Sequence, residues 1–286
     1  MNVLKTGFLL ALLTVLLIFV GQLIGGSQGA TTAFIFALVM NLGAYWFSDK
    51  IVLAMYRAKP LSEAEAPQVY RVVREIATRE HMPMPKVYWI STQTPNAFAT
   101  GRSPKHAAVA VTSGLLELMN EEELKGVIAH ELSHVKNRDT LVMTVAAALA
   151  GAIMMMARMA QWSLWWGGSR SRNEENRGAA AAQLIVMLLI AILAPLAAML
   201  VQLAISRTRE YSADESGAHL AGSPYGLASA LEKLDRATKA YPLPNANPAT
   251  AHLFIVNPLS MGAIAKLFST HPPIEERIRR LRSMRL

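Results

Sequence analysis

Two histidines spaced four apart with a glutamate between them, His130-Glu131-Leu132-Ser133-His134, form the string with the most chemical capacity in this sequence. On a helix, residues i and i+4 share a face, so both imidazoles can grip one metal ion. Glu131 is turned about 100° from His130, which suits contact with a water on the metal better than ligation in the same row. Two imidazoles and a third protein ligand would hold one Zn²⁺ per chain and leave a position open. The ion would bring the pKa of a water there to about 7, and the carboxylate would take its proton and return it to a leaving amine. That is the chemistry of peptide-bond hydrolysis. The chain has no cysteine, so the third ligand must be His, Glu or Asp. Arg209-Glu210-Tyr211-Ser212-Ala213-Asp214 offers two carboxylates, again i and i+4: one can bind the metal while the other accepts a hydrogen bond from a ligand histidine.

These side chains need a helix to carry them. Asn120 is a good N-cap, Glu123 stands at the capping-box position, and Glu121, Glu122 and Glu123 suit the positive end of the helix dipole. Leu124, Val127, Ile128 and Val135 then recur at helical spacing. Val87-Tyr88-Trp89-Ile90 and Ala107-Ala108-Val109-Ala110-Val111-Thr112 are rich in strand formers. Between them, Asn96, Ala97, Phe98 and Ala99 would make either an edge strand that pairs with substrate backbone or an ordinary connection.

The rest of the chain is unusually apolar. Hydrophobic residues make up 52% and charged residues 17% of 286 positions, against about 25% charged in an ordinary soluble domain. No charge occurs from Thr6 to Ser48, and Gly25-Gly26-Ser27-Gln28-Gly29 divides that stretch into two runs of roughly bilayer-spanning length. Further apolar blocks cover Leu141 to Ala157 and Ala179 to Ile205, the latter with Pro195. The organisation expected is a transmembrane hairpin (1–48), a first catalytic part with the zinc helix (49–140), a membrane-embedded hairpin (141–205) and a second catalytic part with the third ligand (206–286). Lys5 before the first hairpin and Lys50, Arg57 and Lys59 after it place both its ends in the cytoplasm. Arg158, Arg170, Arg172 and Arg177 between the later blocks conflict with an outside loop. The site fixes the parity: His130 and Glu210 meet only if the intervening segment crosses twice or not at all. A net charge of +8 in so apolar a chain points to anionic lipid and not to nucleic acid.

Taken together, the sequence resembles the HtpX family of membrane-bound zinc endopeptidases and, more distantly, the CAAX prenyl proteases. The resemblance rests on the N-terminal hydrophobic hairpin, Thr94-Pro95-Asn96-Ala97-Phe98-Ala99, and His130-Glu131-Leu132-Ser133-His134 running into Asn137-Arg138-Asp139. It continues through the second apolar hairpin, Ser206 to Asp214, and Ser269-Thr270-His271-Pro272. It implies His130, His134 and Glu210 as zinc ligands, Glu131 as catalytic base and Asp214 as the residue orienting a ligand histidine. It further implies a mainly α membrane protein with a small β-sheet and a zincin-like catalytic domain. Such a protein sits in the bacterial inner membrane, faces its site to the cytoplasm, degrades damaged or misassembled membrane proteins or unfolded polypeptides, and cleaves itself. His271 and Arg277 resemble a C-terminal family element near the site. Arg277 would bind a substrate carbonyl or brace Glu210 or Asp214, unless the last helix simply rests its basic face on lipid headgroups. The competing functions are a non-enzymatic quality-control factor with a structural zinc, a protease of prenylated proteins, and a zinc transporter.

Overall fold

The computed structural model describes residues 2–167, 207–240, 250–256 and 272–286. The Arg-rich loop after Gly167, the block ending at Ile205 and His271 lie outside these residues.

Helix α1, Asn2–Met55, is a hairpin of two limbs broken at Gly25 and Gly26. Gly26 takes φ +58°, a conformation open to glycine at little cost. Near the turn the limbs touch at Gly21 and Gly29, where a Cβ on Gly29 would sit 2.2 Å from the Gly21 carbonyl oxygen. Further along, Asn41 Nδ2 donates to the Thr14 hydroxyl (2.8 Å) and the Leu10 carbonyl (3.2 Å), pinning one limb to the other. The second limb, Gly25–Met55, is long and apolar enough to cross a bilayer, and only 11% of its most apolar window is buried by protein. Phe34, Ile35, Phe36, Val39 and Phe47 are exposed along it, an apolar surface that lipid would cover. The first limb and α5 contribute shorter apolar stretches, Thr6–Phe19 and Asp139–Met154.

A four-stranded sheet follows, built from β1 (Lys59–Pro60), β2 (Lys86–Ile90), β3 (Ala97–Thr100) and β4 (Ala108–Thr112) in the order β1-β2-β4-β3. β2 and β4 are parallel, joined by a crossover that contains β3, and β3 returns antiparallel to β4. The small residues of β3 and β4 are all buried, which lets helices pack close on both faces. β3 therefore lies at one edge of the sheet, one of the two alternatives the sequence left open.

Helices α2 (Pro67–Arg79), α3 (Ser113–Leu118) and α4 (Glu121–Lys136) complete the first half. The capping box is present in full: Glu123 N donates to Asn120 Oδ1 (2.9 Å) and Asn120 N to Glu123 Oε2 (3.0 Å). Glu123 is also held by Ser229 and Lys233, so the cap doubles as a tie to a later helix. Two residues beyond α4, α5 (Asp139–Gly167) begins and packs along α1 through Leu141, Val145, Ala148 and Leu149 against Leu9, Leu13 and Ala37. It starts earlier and extends further than the apolar block Leu141 to Ala157: Asp139 puts a carboxylate in its first turn, which suits the helix dipole, and nothing before Gly167 breaks it.

In the second half, α6 (Arg207–Ala221) and α7 (Pro224–Ala240) lie against α4, and α8 (Ile274–Ser283) lies against α7. The apolar face of α8 is taken up by protein, while the arginines on its other faces stay half or more exposed. Leu281 is buried in the main core, and Arg280 and Arg282 pair with Glu276 and Glu232. Arg280 also stacks 3.8 Å from the centre of the Tyr211 ring. The sheet is joined to the hairpin by Arg102, which lies over the Trp46 ring and donates to the Trp46 carbonyl (3.0 Å).

Candidate metal centre

α4 carries His130 and His134 on one face, and α6 brings Glu210 from the far side of a long sequence gap. His134 Nε2 lies 3.5 Å from Glu210 Oε1 and His130 Nε2 lies 3.9 Å from Glu210 Oε2. The two imidazole rings are 4.9 Å apart and nearly perpendicular, at 89°. One ligand atom from each of the three residues falls within 4.8 Å of the others, and all three side chains are buried. α6 approaches this closely because Gly217 has no side chain: it packs directly on the backbone of His130.

The far nitrogens of both rings face carboxylates. His130 Nδ1 is 3.0 Å from Asp214 Oδ1, and Arg277 clamps Asp214 from behind with Nε to Oδ2 (2.8 Å) and Nη2 to Oδ1 (2.7 Å). His134 Nδ1 is 3.4 Å from Asp139 Oδ2. A partner on Nδ1 leaves Nε2 as the available donor, the arrangement that metal-bound histidines use. The donor set of two imidazole nitrogens and one carboxylate oxygen therefore fits a catalytic zinc site.

Burial pushes the His130 imidazole toward its neutral, ligating form, with Asp214 opposing and Arg277 assisting. Burial alone would also lower His134, but Asp139, Glu210 and Glu131 outweigh it and raise that ring. For Asp214 the Arg277 guanidinium overcomes the cost of burial and holds the carboxyl below its usual range. For Glu131, as for His130, burial dominates: it pushes the carboxyl up to about 8, against the pull of His134 and of a backbone hydrogen bond.

That backbone bond comes from β3. Ala99 N donates to Glu131 Oε2 at 2.7 Å. Asn96 and Ala97 at the head of the strand are also engaged: Ile255 N donates to the Ala97 carbonyl (3.3 Å) and Asn96 Nδ2 to the Val256 carbonyl (2.9 Å). Phe98 points to the other face and meets the rings of Tyr56 and Phe254. Ala99 thus meets Glu131 while Asn96 and Ala97 meet the segment 250–256, which lies on the edge that an extended peptide would use.

Arg277 is fully buried, and its donors go to Asp214 and to the Ile255 carbonyl (3.0 Å), with Nη2 also 3.5 Å from His130 Nε2. Of the roles open to it on sequence, the geometry realises the brace on Asp214 and leaves no donor turned to solvent for a substrate carbonyl. The sequence reading gives no role to Gly217 or Ile255, and it names Asp139 only within Asn137-Arg138-Asp139, without a role. Its place just past the end of the His130–His134 helix is the signal that could have pointed to one.

The profile of Peptidase family M48 matches residues 63–285, a span that contains all of the site residues named above. A protease HtpX homolog of Syntrophobacter fumaroxidans is 60% identical over 280 residues, covering 98% of each chain. One from Thermodesulfovibrio yellowstonii is 60% identical over 284 residues, covering 99% of each. One from Pyrococcus furiosus is 54% identical over 280 residues, covering 98% of this chain and 95% of its own. The chain belongs to peptidase family M48 and is a metallopeptidase.

Proposed function

We propose that the metal is a single Zn²⁺ held by His130, His134 and Glu210, and that Glu131 is the general base of an endopeptidase working at a membrane surface. The observation that carries this reading is the convergence of two Nε2 atoms on the two oxygens of Glu210, with the Glu131 carboxylate one residue from His130 and hydrogen-bonded to β3. Zinc, when bound, supplies Lewis-acid polarisation of a peptide carbonyl and of the attacking water.

The remaining work belongs to the chain. Glu131 accepts the proton of the water and delivers it to the departing amide nitrogen. Asp214, locked by Arg277, holds the His130 ring in orientation. An extended substrate adds to the outer edge of β3, with its backbone taking the places now filled by Ile255 N at Ala97 and by Glu131 at Ala99. Recognition through main-chain pairing selects unfolded polypeptide over any particular side chain. That fits damaged or misassembled membrane proteins as substrates, and it permits self-cleavage.

The reading includes a multi-pass protein of the cytoplasmic membrane with its site on the cytoplasmic side, supported by the basic residues flanking the first hairpin. It also includes the division into 1–48, 49–140, 141–205 and 206–286.

The test is a zinc count and a casein-cleavage assay on the full-length protein in detergent, with Glu210→Ala and Glu131→Gln alongside. Glu210→Ala should lose zinc and activity, whereas Glu131→Gln should keep zinc and lose activity. Equal zinc in all three proteins, or cleavage that survives a chelator, overturns the assignment.

A further inference from the structure

We propose that Asp139 is a positioning residue of the metal centre: it holds the His134 ring by Nδ1 so that Nε2 faces the ion, with Arg209 as its counter-charge. This rests on the reading of His130, His134 and Glu210 as ligands.

Three observations carry it. First, Asp139 is buried and places Oδ2 3.4 Å from His134 Nδ1, while the opposite nitrogen of the same ring is 3.5 Å from Glu210. Second, the backbone turns back to achieve this. In an unbroken helix a residue five positions on would stand roughly 140° away from His134. Instead α4 ends at Lys136, Arg138 adopts φ +58°, and helix resumes at Asp139. A left-handed conformation at a non-glycine residue is uncommon, so the corner is held by what it brings together. Third, Arg209 Nε lies 3.9 Å from Asp139 Oδ1, and Arg209 immediately precedes Glu210 on α6. The start of α5 is thereby tied to the helix that supplies the third ligand.

The site thus contains two parallel series, His130–Asp214–Arg277 and His134–Asp139–Arg209. In the second the arginine side chain is 16% exposed against 1% for Arg277, and its contact is longer, so it is the looser of the two. A carboxylate on Nδ1 fixes the ring's tautomer and raises the basicity of Nε2, and loss of such a partner characteristically weakens metal binding by about 10- to 100-fold.

The test uses full-length protein in detergent. Zinc affinity is measured by competition with a chelator, the ligand field by the visible spectrum after Co²⁺ substitution, and helix content by circular dichroism. Asp139→Ala should bind zinc at least about tenfold more weakly, with an altered cobalt spectrum and unchanged helix content. Asp139→Asn, which can still accept a hydrogen bond, should fall between Asp139→Ala and wild type. Wild-type affinity and spectrum in Asp139→Ala overturn the inference. If Asp139→Ala does not fold, Asp139→Asn decides alone: weaker binding than wild type supports the role, and equal binding refutes it. Glu210→Ala in the same assay separates the two readings, because zinc retained there defeats the ligand assignment itself.

Discussion

Gly217 packs against the backbone of His130 so closely that a Cβ on it would stand 2.9 Å from both the His130 nitrogen and its Cα. No flexible side chain is there to give way. Gly217→Ala must push α6 off α4, and Glu210 and Asp214 move with it. Overpacking of this kind costs about 1–3 kcal/mol. The variant should melt earlier than wild type and bind zinc more weakly although no ligand has changed, as thermal unfolding and chelator competition would show. Unchanged zinc affinity would mean that the helix pair tolerates separation.

Glu131 gives a prediction with a definite sign in pH. Its folded pKa, about 8, is above the ordinary 4.5, so the folded protein holds a proton there that the unfolded chain releases. In metal-stripped protein this group should favour the fold at pH 4 and progressively cease to do so as pH rises toward 8. Glu131→Gln has no such dependence. The stability of the variant relative to wild type should therefore increase from pH 5 to pH 8 and then level off, measured by denaturant unfolding. With zinc present, the same variant should lose activity by about 10²- to 10⁴-fold, the usual scale for a removed general base.

Arg277 and Asp214 form a two-pronged pair in a region with almost no access to water. Removing one partner strands the other's charge, which costs about 3–5 kcal/mol. Arg277→Met should be severely destabilised. Arg277→Lys keeps the charge but cannot supply the planar pair of donors, and should lie between Met and wild type in a thermal melt.

Glu123 predicts the opposite pH behaviour to Glu131. Burial alone would raise its pKa, but Lys233, Ser229 and the Asn120 N–H more than compensate and hold it low. Its contribution is complete above the unfolded value of about 4.5 and is lost as pH falls through the depressed folded value. Glu123→Gln should cost about 1 kcal/mol at pH 7, in line with a cap and a charge-assisted bond, and nearly nothing at pH 3.

Some of this architecture is legible in the string of residues and some is not. The α4 helix, its cap and the facing of His130 and His134 follow from local rules of spacing and capping, which act within a few residues. Glu210 and Asp214 stand out because their types are rare so close to an apolar run. Asn137-Arg138-Asp139 carries part of the family resemblance, but what Asp139 faces is set by the corner at Arg138, which no periodicity anticipates. Arg277 stands in the sequence as a candidate brace, and its burial depends on α7 and α6 closing over it, which the sequence does not show. The edge position of β3 is partly visible in its small residues, but its coverage by Ile255 arises from a contact between segments more than 150 positions apart.

The close succession of α4 and α5 has a further consequence. His134 is only five residues before Asp139, where the apolar helix α5 begins. On the proposal that α5 enters the bilayer, altitude above the lipid is built into the covalent chain. A folded globule with no loose strand would then have no way down to that level, whereas a polypeptide sliding out of the bilayer would arrive at it unaided. Discrimination between clients can then come from the height at which a strand is presented, with no need to read its side chains.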